Sequence, residues 1–409
     1  MTSGDVHGAH PGDAAGGATP GASVEPAVDF RLGPQADHLR VRLRAILAEL
    51  LPADWSTSFS LDPAVQSVVR TVVERLASEG LLTLSWPREY GGAEADLWQQ
   101  TVLREEMWAH FEPRGPQYMG LNWVGPVIME VGTEEQKARH LPAISAGRVV
   151  WCQGFSEPGA GSDLGSLQLR AEFDNGQWVL NGQKIWTSYA GLAQWCFLAA
   201  RTDRTARKHD GITIFLVPMD TPGITVRPID SMLGEQHLNE VFFDNVRVGP
   251  DAVLGGVGRG WDVIRRVLKH ERIGIPRYAR DERVLAELAG HPALDRPSAR
   301  AEYARTLVHA RVARLLNYRA VALQEAGRLT DREASIARLA SIQLDQEVAH
   351  LALDLCGSDA LVPDPPAGLL GHVEDVFRYA RASTIASGTI EIQRMIVARS
   401  MLEGARHAA

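Results

Sequence analysis

The sequence predicts an α+β protein, mostly α-helical, in which a β domain separates two helical regions. In the first and last parts of the chain apolar residues recur at helical spacing, whereas the middle part has short aliphatic and aromatic runs separated by turn dipeptides. We therefore expect a disordered tail over residues 1–28, an N-terminal helical domain over 29–148, a β domain over 149–254 and a C-terminal helical region over 255–409.

Composition narrows the class of protein. The 409 residues are 45% hydrophobic and 22% charged, which is ordinary for a globular enzyme. The formal net charge of -8 argues against a nucleic-acid partner, because phosphate binding needs a basic face. The chain has neither an apolar run long enough to span a membrane nor the apolar segment of a secretory signal near residue 1. We expect no membrane partner and, by default, a cytoplasmic location.

The three cysteines, Cys152, Cys196 and Cys356, are far apart and form no CxxC pair. This spacing predicts reduced thiols and no metal site. The sequence also lacks the GxSxG and HExxH motifs of hydrolases. The glycine-rich segment at residues 255–260 lacks the spacing and the βαβ context of a dinucleotide loop, so NAD is not indicated.

The N-terminal region contains several amphipathic segments. Leucine and isoleucine recur at helical spacing over residues 39–50, and a second helix is predicted over 63–78. Further helices are expected around residues 97–108 and 120–131. Thr133 and Gln136 form a capping box for the next helix.

The middle region carries strand and turn signals. Strands are expected at residues 177–180, 195–200, 212–217 and 241–243, which suggests a small barrel or sandwich. The dipeptides Asn175-Gly176 and Asn181-Gly182 are predicted turns, and the first fits a hairpin. The polar segment 204–210 is interpreted as a solvated hairpin.

One loop stands out in this region. Residues 151–163 read WCQGFSEPGAGSD, with a proline, two glycines and short polar side chains. Proline fixes φ and glycine permits unusual φ values, so an irregular loop with exposed backbone N–H groups is expected. Such a loop can approach a flat ring, a carbonyl or a phosphate. A plain Gly/Pro connection remains the alternative.

The C-terminal region begins with a helix that carries a misplaced acid. Glu271 falls in the middle of an apolar stripe made by Trp261, Ile264, Val267, Leu268 and Ile275. A carboxylate in such a stripe is costly unless it is paired or neutral, and burial raises the pKa of a carboxyl group towards that of a general base. Glu271 is therefore a candidate base. A structural ion pair with Arg272 or Arg277 is the alternative.

The remaining C-terminal sequence is helical. Thr330 and Glu333 read as a capping box that opens a long helix ending near Gly357. A proline-rich loop at residues 363–366 follows, and the last helices flank the tripeptide Ser387-Gly388-Thr389.

Five segments in this order together resemble the acyl-CoA dehydrogenase family over residues 29–401. They are WPREYGG at 86–92, FSEPGAGSD at 155–163, NGQKIWTS at 181–188, the Glu271-Arg272 pair and SGTIEIQR at 387–394. The resemblance implies a helical domain, a β domain and a C-terminal four-helix bundle, with FAD between the β domain and the last helices. It also implies α,β-desaturation of an acyl thioester, in the style of actinobacterial members that act on bulky acyl groups.

The resemblance assigns roles to individual residues. Phe155 and Ser156 match a loop that contacts the flavin ring, and Ser162 matches a serine beside the flavin pyrophosphate and the thioester. Trp186 and Ser188 match residues that flank the flavin. Gly388 and Thr389 match the adenosine side of the cofactor, together with the rest of the segment at 387–394.

Position 387 departs from the family pattern. Most members have a glutamate there as base, whereas this chain has Ser387, whose hydroxyl is too weak to remove an α proton. A minority of members carry the base at the position that matches Glu271, and Arg272 resembles the neighbouring arginine that shapes the substrate pocket. The resemblance and the apolar stripe thus both indicate Glu271.

The sequence is compatible with more than one oligomeric state and with either coenzyme A or a carrier protein as the group that carries the acyl chain. The usual Arg-x-x-Phe-Gly segment is missing around residues 287–301, and 354–358 read DLCGS instead of the common glycine pair. A homo-oligomer or a hetero-oligomer with shared FAD sites is expected. The alternatives to an acyl-CoA dehydrogenase are desaturation on an acyl carrier protein, a FAD-site-sharing subunit and a flavin N-hydroxylase. An electron-transferring flavoprotein is the expected acceptor.

Overall fold

A computed structural model describes residues 32–56, 60–232, 237–273, 275–362 and 368–408 of the chain. The side chains at 269–273 and 403–408 lie outside this description. So do the predicted tail at residues 1–28 and the proline-rich loop at 363–366.

The N-terminal part consists of five α-helices. Leu39, Leu43, Ile46 and Leu47 of the first helix are buried, as their spacing predicts. A five-residue π-helical turn, Gly120–Val124, precedes the fourth helix, and all of its residues are buried. The capping box at Thr133 is confirmed, because its hydroxyl accepts from the Gln136 N–H. The helices are α1 (Pro34–Leu50), α2 (Pro63–Ser78), α3 (Leu97–Ala109), α4 (Gly125–Val131) and α5 (Glu134–Ser145).

The middle part is one eight-stranded sheet. Its order is β6-β7-β3-β2-β4-β5-β8, with β1 parallel to β4. The predicted solvated hairpin at 204–210 connects the antiparallel strands β4 and β5. The strands are β1 (Trp151–Gly154), β2 (Arg170–Asp174), β3 (Gln177–Ser188), β4 (Trp195–Arg201), β5 (Ile212–Pro218), β6 (Ile224–Ile229), β7 (Leu238–Val248) and β8 (Val253–Leu254).

Of the two predicted turns in the sheet, one is confirmed and one is wrong. Asp174 pairs with Gln177, and Asn175 and Gly176 between them have φ of 50° and 82°, as a two-residue hairpin requires. Asn181-Gly182 instead lies inside β3, at a register shift against β7. A Cβ on Gly182 would lie 2.8 Å from the Leu169 Cα, so this glycine permits close approach of two backbones rather than a turn.

In the described residues, the C-terminal part contains six α-helices. The long α9 packs against α7, α8, α10 and α11 and is the centre of the bundle. The predicted capping box at Thr330 is wrong: its side chain contacts the Glu333 carboxylate and accepts no bond from the helix N-terminus. The helices are α6 (Gly260–Ile273), α7 (Tyr278–Leu288), α8 (Pro297–Glu325), α9 (Asp331–Cys356), α10 (Leu369–Ser383) and α11 (Ile390–Ala408).

The cysteines are free thiols, as predicted. Cys152 and Cys196 are buried neighbours on β1 and β4. Their mutual hydrogen bond, together with burial, raises the pKa of the Cys152 thiol. Within the described residues no group of histidine, cysteine and acidic side chains could hold a metal ion. No helix in the same ranges is long and apolar enough to cross a membrane.

Candidate active site

The loop after β1 is held by a buried carboxylate. Glu157 accepts from the backbone N–H groups of Gln168 and Leu169, at 2.6 and 2.8 Å, and from the Lys184 Nζ at 2.8 Å. Its own backbone exchanges two hydrogen bonds with Ala160, which closes a tight turn around Pro158. The Gly/Pro loop therefore has a fixed course.

Lys184 ties this loop to β3. Its Nζ also donates to the Phe155 carbonyl at 3.0 Å, and the side chain is fully buried. Burial lowers the pKa of Lys184, although the negative charge of Glu157 opposes this effect. The Ile185 N–H donates to the Ser156 carbonyl at 2.9 Å. Together these bonds bring Phe155 and Ser156 beside the strand segment that carries Trp186.

Trp186 stands out from a bulge in β3. The register with β7 shifts between Lys184 and Thr187, and bulges of this kind re-aim side chains near active sites. Trp186 has φ of 60°, which is unusual for a bulky residue, and 56% of it is exposed. The neighbouring Thr187 Oγ1 is buried without a partner among the described residues, and Ser188 is half-buried. An exposed aromatic ring and a buried, unsatisfied hydroxyl thus belong to consecutive residues at this strand end.

The far end of the loop is open. Ser162 and Asp163 are exposed, and a Cβ on Gly159 or Gly161 would have no atom within 4 Å. Asp163 is bound by Lys208 of the β4–β5 hairpin, at 2.5 Å, and by Ser166. The hydrogen bond from Lys208 lowers the pKa of Asp163. This face can accommodate a phosphate or pantetheine chain without steric conflict.

The Ser387-Gly388-Thr389 tripeptide connects α10 to α11. Ser387 and Gly388 have φ of 59° and 90°, and Arg338 of α9 donates to the preceding Ala386 carbonyl. Thr389 Oγ1 accepts from the Ile392 N–H at 3.3 Å and so caps α11. The cap places Gly388 and Thr389 at a helix N-terminus, which favours anionic groups.

The bundle meets the β domain near this tripeptide. Arg378, on the helix that leads to Ser387, donates to the Met232 carbonyl at 3.3 Å. Met232 lies between β6 and β7, and β7 is the strand that pairs with Ser188. The predicted adenosine-side residues and the predicted flavin-ring residues thus lie on adjoining elements.

The predicted base is on α6. Ile264 and Val267 are buried and Trp261 and Leu268 are half-buried, as the apolar stripe predicts. Position 271 follows Val267 by one helical turn, within α6. The side chains of Glu271 and Arg272 lie outside the described residues, so their roles stay predictions.

The sequence argument missed two features of this region. Lys184 was given no role, although a lysine at an inward position of a strand is a signal of a buried partner. The π-helical turn was also missed. It packs against α6, and π-helical turns are found mostly at functional sites.

Three family models match the chain. They are the N-terminal, middle and C-terminal domains of acyl-CoA dehydrogenase, over residues 37–148, 152–246 and 258–402. Among curated proteins, acyl-CoA dehydrogenase IpdE1 of Mycobacterium tuberculosis is 37% identical over 82% of this chain and 88% of its own length. The human mitochondrial short-chain specific acyl-CoA dehydrogenase is 31% identical over 82% and 83%.

Solved structures of acyl-CoA dehydrogenases have the same fold as this chain. A structure titled Tcur3481-Tcur3483 steroid ACAD has a TM-score of 0.84 and 34% identity, covering 92% of this chain and 99% of its own. The ChsE4-ChsE5 complex from Mycobacterium tuberculosis has a TM-score of 0.81 and 30% identity, covering 92% and 99%. The fold is that of a family of flavin-dependent oxidoreductases. The chain belongs to the acyl-CoA dehydrogenase family, whose members use FAD.

The described residues fit that cofactor. An exposed indole on a rigid bulge offers a face for a planar ring, and the buried Thr187 Oγ1 lacks a partner that a bound polar group could supply. The open glycines at 159 and 161 leave room for a phosphate chain. The α11 N-terminus offers a second anion-binding element.

Proposed function

We propose that this chain catalyses α,β-dehydrogenation of an acyl-CoA thioester, with Glu271 as the general base. One observation carries the choice of base: position 271 follows the buried Val267 by one turn of α6, whereas position 387 carries a serine. Serine cannot remove an α proton unaided, since its hydroxyl is far too weak a base. The family membership supports the reaction class.

The proposed roles rest on the family resemblance, and the bonds around Glu157 and Lys184 support those at the flavin ring. The Glu271 carboxylate removes the α proton, and Arg272 shapes the same pocket. Phe155, Ser156, Trp186 and Ser188 hold the flavin ring, because Glu157 and Lys184 fix the loop against β3. FAD, when bound, accepts the β hydrogen as a hydride.

The remaining proposed contacts lie at the edges of the site. Ser162 contacts the cofactor pyrophosphate and the thioester chain from the open end of the loop. Gly388 and Thr389 lie on the adenosine side, at the α11 N-terminus. The domains are proposed to meet at residues 148–149 and 254–255, which is supported by the ends of α5 at Ser145 and of β8 at Leu254.

The substrate is proposed to be a bulky acyl-CoA thioester, with an electron-transferring flavoprotein as acceptor. A relative at 34% identity is titled a steroid ACAD, which supports a large acyl group. The replacement of a glutamate by Ser387 leaves more room beside the thioester.

The test is anaerobic reduction of the purified flavoprotein by a panel of acyl-CoA thioesters. Wild type should bleach with at least one thioester, and Glu271→Gln should lower the rate by roughly 100- to 10,000-fold, the usual contribution of a general base. Ser387→Ala is the matched control and should keep the reduction within a few-fold of wild type. Equal bleaching by Glu271→Gln and wild type would refute the assignment of the base.

A two-component assembly is the second proposal. Two of the related structures have paired names, Tcur3481-Tcur3483 and the ChsE4-ChsE5 complex, and this chain lacks the Arg-x-x-Phe-Gly segment around residues 287–301. Light scattering and flavin absorbance of the chain alone test it. A stable oligomer with one FAD per chain supports a homo-oligomer, whereas flavin-poor protein that gains FAD with a second dehydrogenase chain supports a hetero-oligomer.

A further inference from the structure

Five buried N–H donors without an acceptor lie together beyond the proposed catalytic segment. Native interiors leave few polar groups unpaired, so five in one region need an explanation. Within the described residues none of the five has a hydrogen-bond partner. We call them the donor cluster: Arg104 Nε and Trp108 Nε1 on α3, Trp123 Nε1 in the π-helical turn, and Arg277 Nε and Arg280 Nε at the start of α7.

Two tyrosines connect these donors. The Tyr118 ring lies 5.4 Å from that of Trp123 and 6.4 Å from that of Trp108. The Tyr379 ring lies 6.0 Å from Trp108, and the guanidinium carbons of Arg280 and Arg277 are 4.5 and 5.5 Å from its centroid. Arg104 precedes Trp108 by one helical turn and so shares its face of α3. The donors therefore surround one region.

The carboxylates nearby do not complete the cluster. Asp345 accepts from Arg280 NH2 at 3.0 Å, but its Oδ2 is 4.0 Å from the Arg277 Nε, beyond hydrogen-bond range. Burial, together with the neighbouring Asp345, raises the pKa of Asp281. Asp345 Oδ2 and both carboxylate oxygens of Asp281 are themselves buried without a hydrogen-bond partner among the described residues. These carboxylates therefore leave the Nε–H groups of Arg277 and Arg280 unsatisfied.

Arg104 is the partly accessible member of the donor cluster. Burial lowers the pKa of its guanidinium to about 10.

The donor cluster lies close along the chain to both proposed catalytic segments. Arg277 follows Glu271 by six residues, and Tyr379 precedes Ser387 by eight on the chain that forms α10. The helix α10 ends at Ser383, and a short turn leads from there to Ser387. The π-helical turn that carries Trp123 packs against α6. An acyl chain whose thioester lies near Glu271 would point its distal end at these donors.

We propose that the donor cluster binds a hydrogen-bond-accepting oxygen at the distal end of the acyl group, a ketone or a carboxylate. This proposal rests on the proposed function and adds the substrate class. A plain alkyl end would leave the donors desolvated and unpaired, and sites built to bind a polar group reject analogues that lack it. The enzyme should therefore prefer oxygenated acyl chains.

Three thioesters of equal chain length test the preference. They are octanoyl-CoA, the octanoyl-CoA that carries a ketone on its penultimate carbon, and suberoyl-CoA, which ends in a carboxylate. We expect kcat/KM for flavin reduction to favour one oxygenated thioester over octanoyl-CoA by on the order of 100-fold. The ketone and carboxylate arms identify which oxygen is bound. Octanoyl-CoA equal to or better than both would overturn the proposal.

Variants locate the preference in the cluster. Trp123→Phe removes one donor and keeps an apolar ring, and Arg104→Met removes a second. Each should lower the oxygenated-to-plain ratio by roughly 10-fold. Trp151→Phe is the matched control, because its indole Nε1 is also buried and unpartnered but faces His140 and Trp195. If Trp123→Phe and Trp151→Phe leave the same ratio, the cluster is structural and the proposal fails.

Binding separates this proposal from the proposed function. Calorimetry with Glu271→Gln protein measures affinity for the same three thioesters without turnover. Tighter binding of an oxygenated thioester by Glu271→Gln, with its loss in Trp123→Phe/Glu271→Gln, supports the donor cluster even if the base is elsewhere. Reduction by all three thioesters at similar rates would support the dehydrogenase function and would refute the binding role of the donor cluster. If no thioester reduces the flavin and none binds, both the proposed function and the role of the donor cluster are refuted.

Discussion

The Lys184 ammonium lies 2.8 Å from the Glu157 carboxylate, and both groups are buried. The same ammonium donates to the Phe155 carbonyl, so one side chain joins β3 to the loop that we propose for the flavin ring. Glu157 also accepts two backbone N–H groups, which satisfies most of its acceptor capacity. This buried ion pair therefore supports the proposed cofactor site, which an exposed surface pair would not do.

Lys184→Met should destabilise the protein and weaken flavin retention. Removal of one partner of a buried pair leaves the other charge uncompensated, which typically costs about 3–5 kcal/mol. Urea unfolding and the ratio of flavin to protein absorbance measure the two effects. Lys208→Met is the control, because its pair with Asp163 is exposed and such pairs contribute about 0–1 kcal/mol. Equal losses in both variants would contradict a special role for Lys184.

Trp186→Ala should release flavin with little change in stability. The residue is 56% exposed, so its removal leaves no internal cavity. Substitutions at the surface usually change the free energy of unfolding by no more than about 0.5 kcal/mol. A lost stacking surface should lower the affinity for FAD by roughly 10-fold. Fluorescence titration of the apoprotein with FAD measures this. Phe173→Ala removes an aromatic residue of 57% exposure from β2, and it should leave FAD affinity unchanged.

Local chemistry made part of the fold predictable. The Asn175-Gly176 turn and the Thr133 cap depend on residues within three positions of each other, and both are present. The same local pattern was misleading at Thr330, whose hydroxyl contacts the Glu333 carboxylate instead of the helix N-terminus. Gly182 was misread because its requirement comes from the backbone of Leu169 on another segment, which no local pattern contains.

The sequence predicts which residues belong to the candidate site, but it does not predict how they are held together. The motifs place Phe155, Ser156 and Trp186 in one family site, yet the bond between the Ser156 carbonyl and the Ile185 N–H joins residues that are far apart in sequence. The pairing of Lys184 with Glu157 is likewise non-local. Periodicity predicts that a residue faces inward, but it does not identify the partner that faces it.

Glu287→Gln should be less stable than wild type at neutral pH, and the two proteins should be equally stable in acid. Burial alone would raise the pKa of Glu287, but hydrogen bonds from His372, at 2.6 Å, and from Arg283 outweigh it and lower the pKa. A depressed pKa stabilises the fold above the unfolded value of about 4.3, and the contribution disappears as pH falls through the folded pKa.

Because Glu287 is partly exposed, we expect a difference from wild type of only about 1 kcal/mol at pH 7. Urea unfolding at neutral pH and at acid pH below the unfolded value measures it. Glu302→Gln is the control, since the half-exposed carboxylate of Glu302 pairs loosely with the exposed Arg305, at 3.7 Å. A difference that grows in acid would contradict the assigned direction of the pKa shift.

Gly125→Ala should destabilise the contact between the segment 86–92 and the π-helical turn. An added Cβ would lie 2.3 Å from two ring atoms of Trp86, whose Nε1 donates to the Leu121 carbonyl and so cannot move freely. In an open helix alanine would be better than glycine by about 1 kcal/mol. Overpacking of a rigid ring costs about 1–3 kcal/mol, so the net effect is a loss.

Gly191→Ala separates that steric effect from the general effect of an added methyl group. The nearest atom to its Cβ would be the Asn239 Oδ1, at an ordinary contact distance of 3.9 Å. The free energy of unfolding should therefore fall in Gly125→Ala and stay within about 0.5 kcal/mol of wild type in Gly191→Ala. A Gly125→Ala protein as stable as wild type would show that Trp86 can shift, and the π-helical turn would then be less rigidly held than the Trp86 hydrogen bond implies.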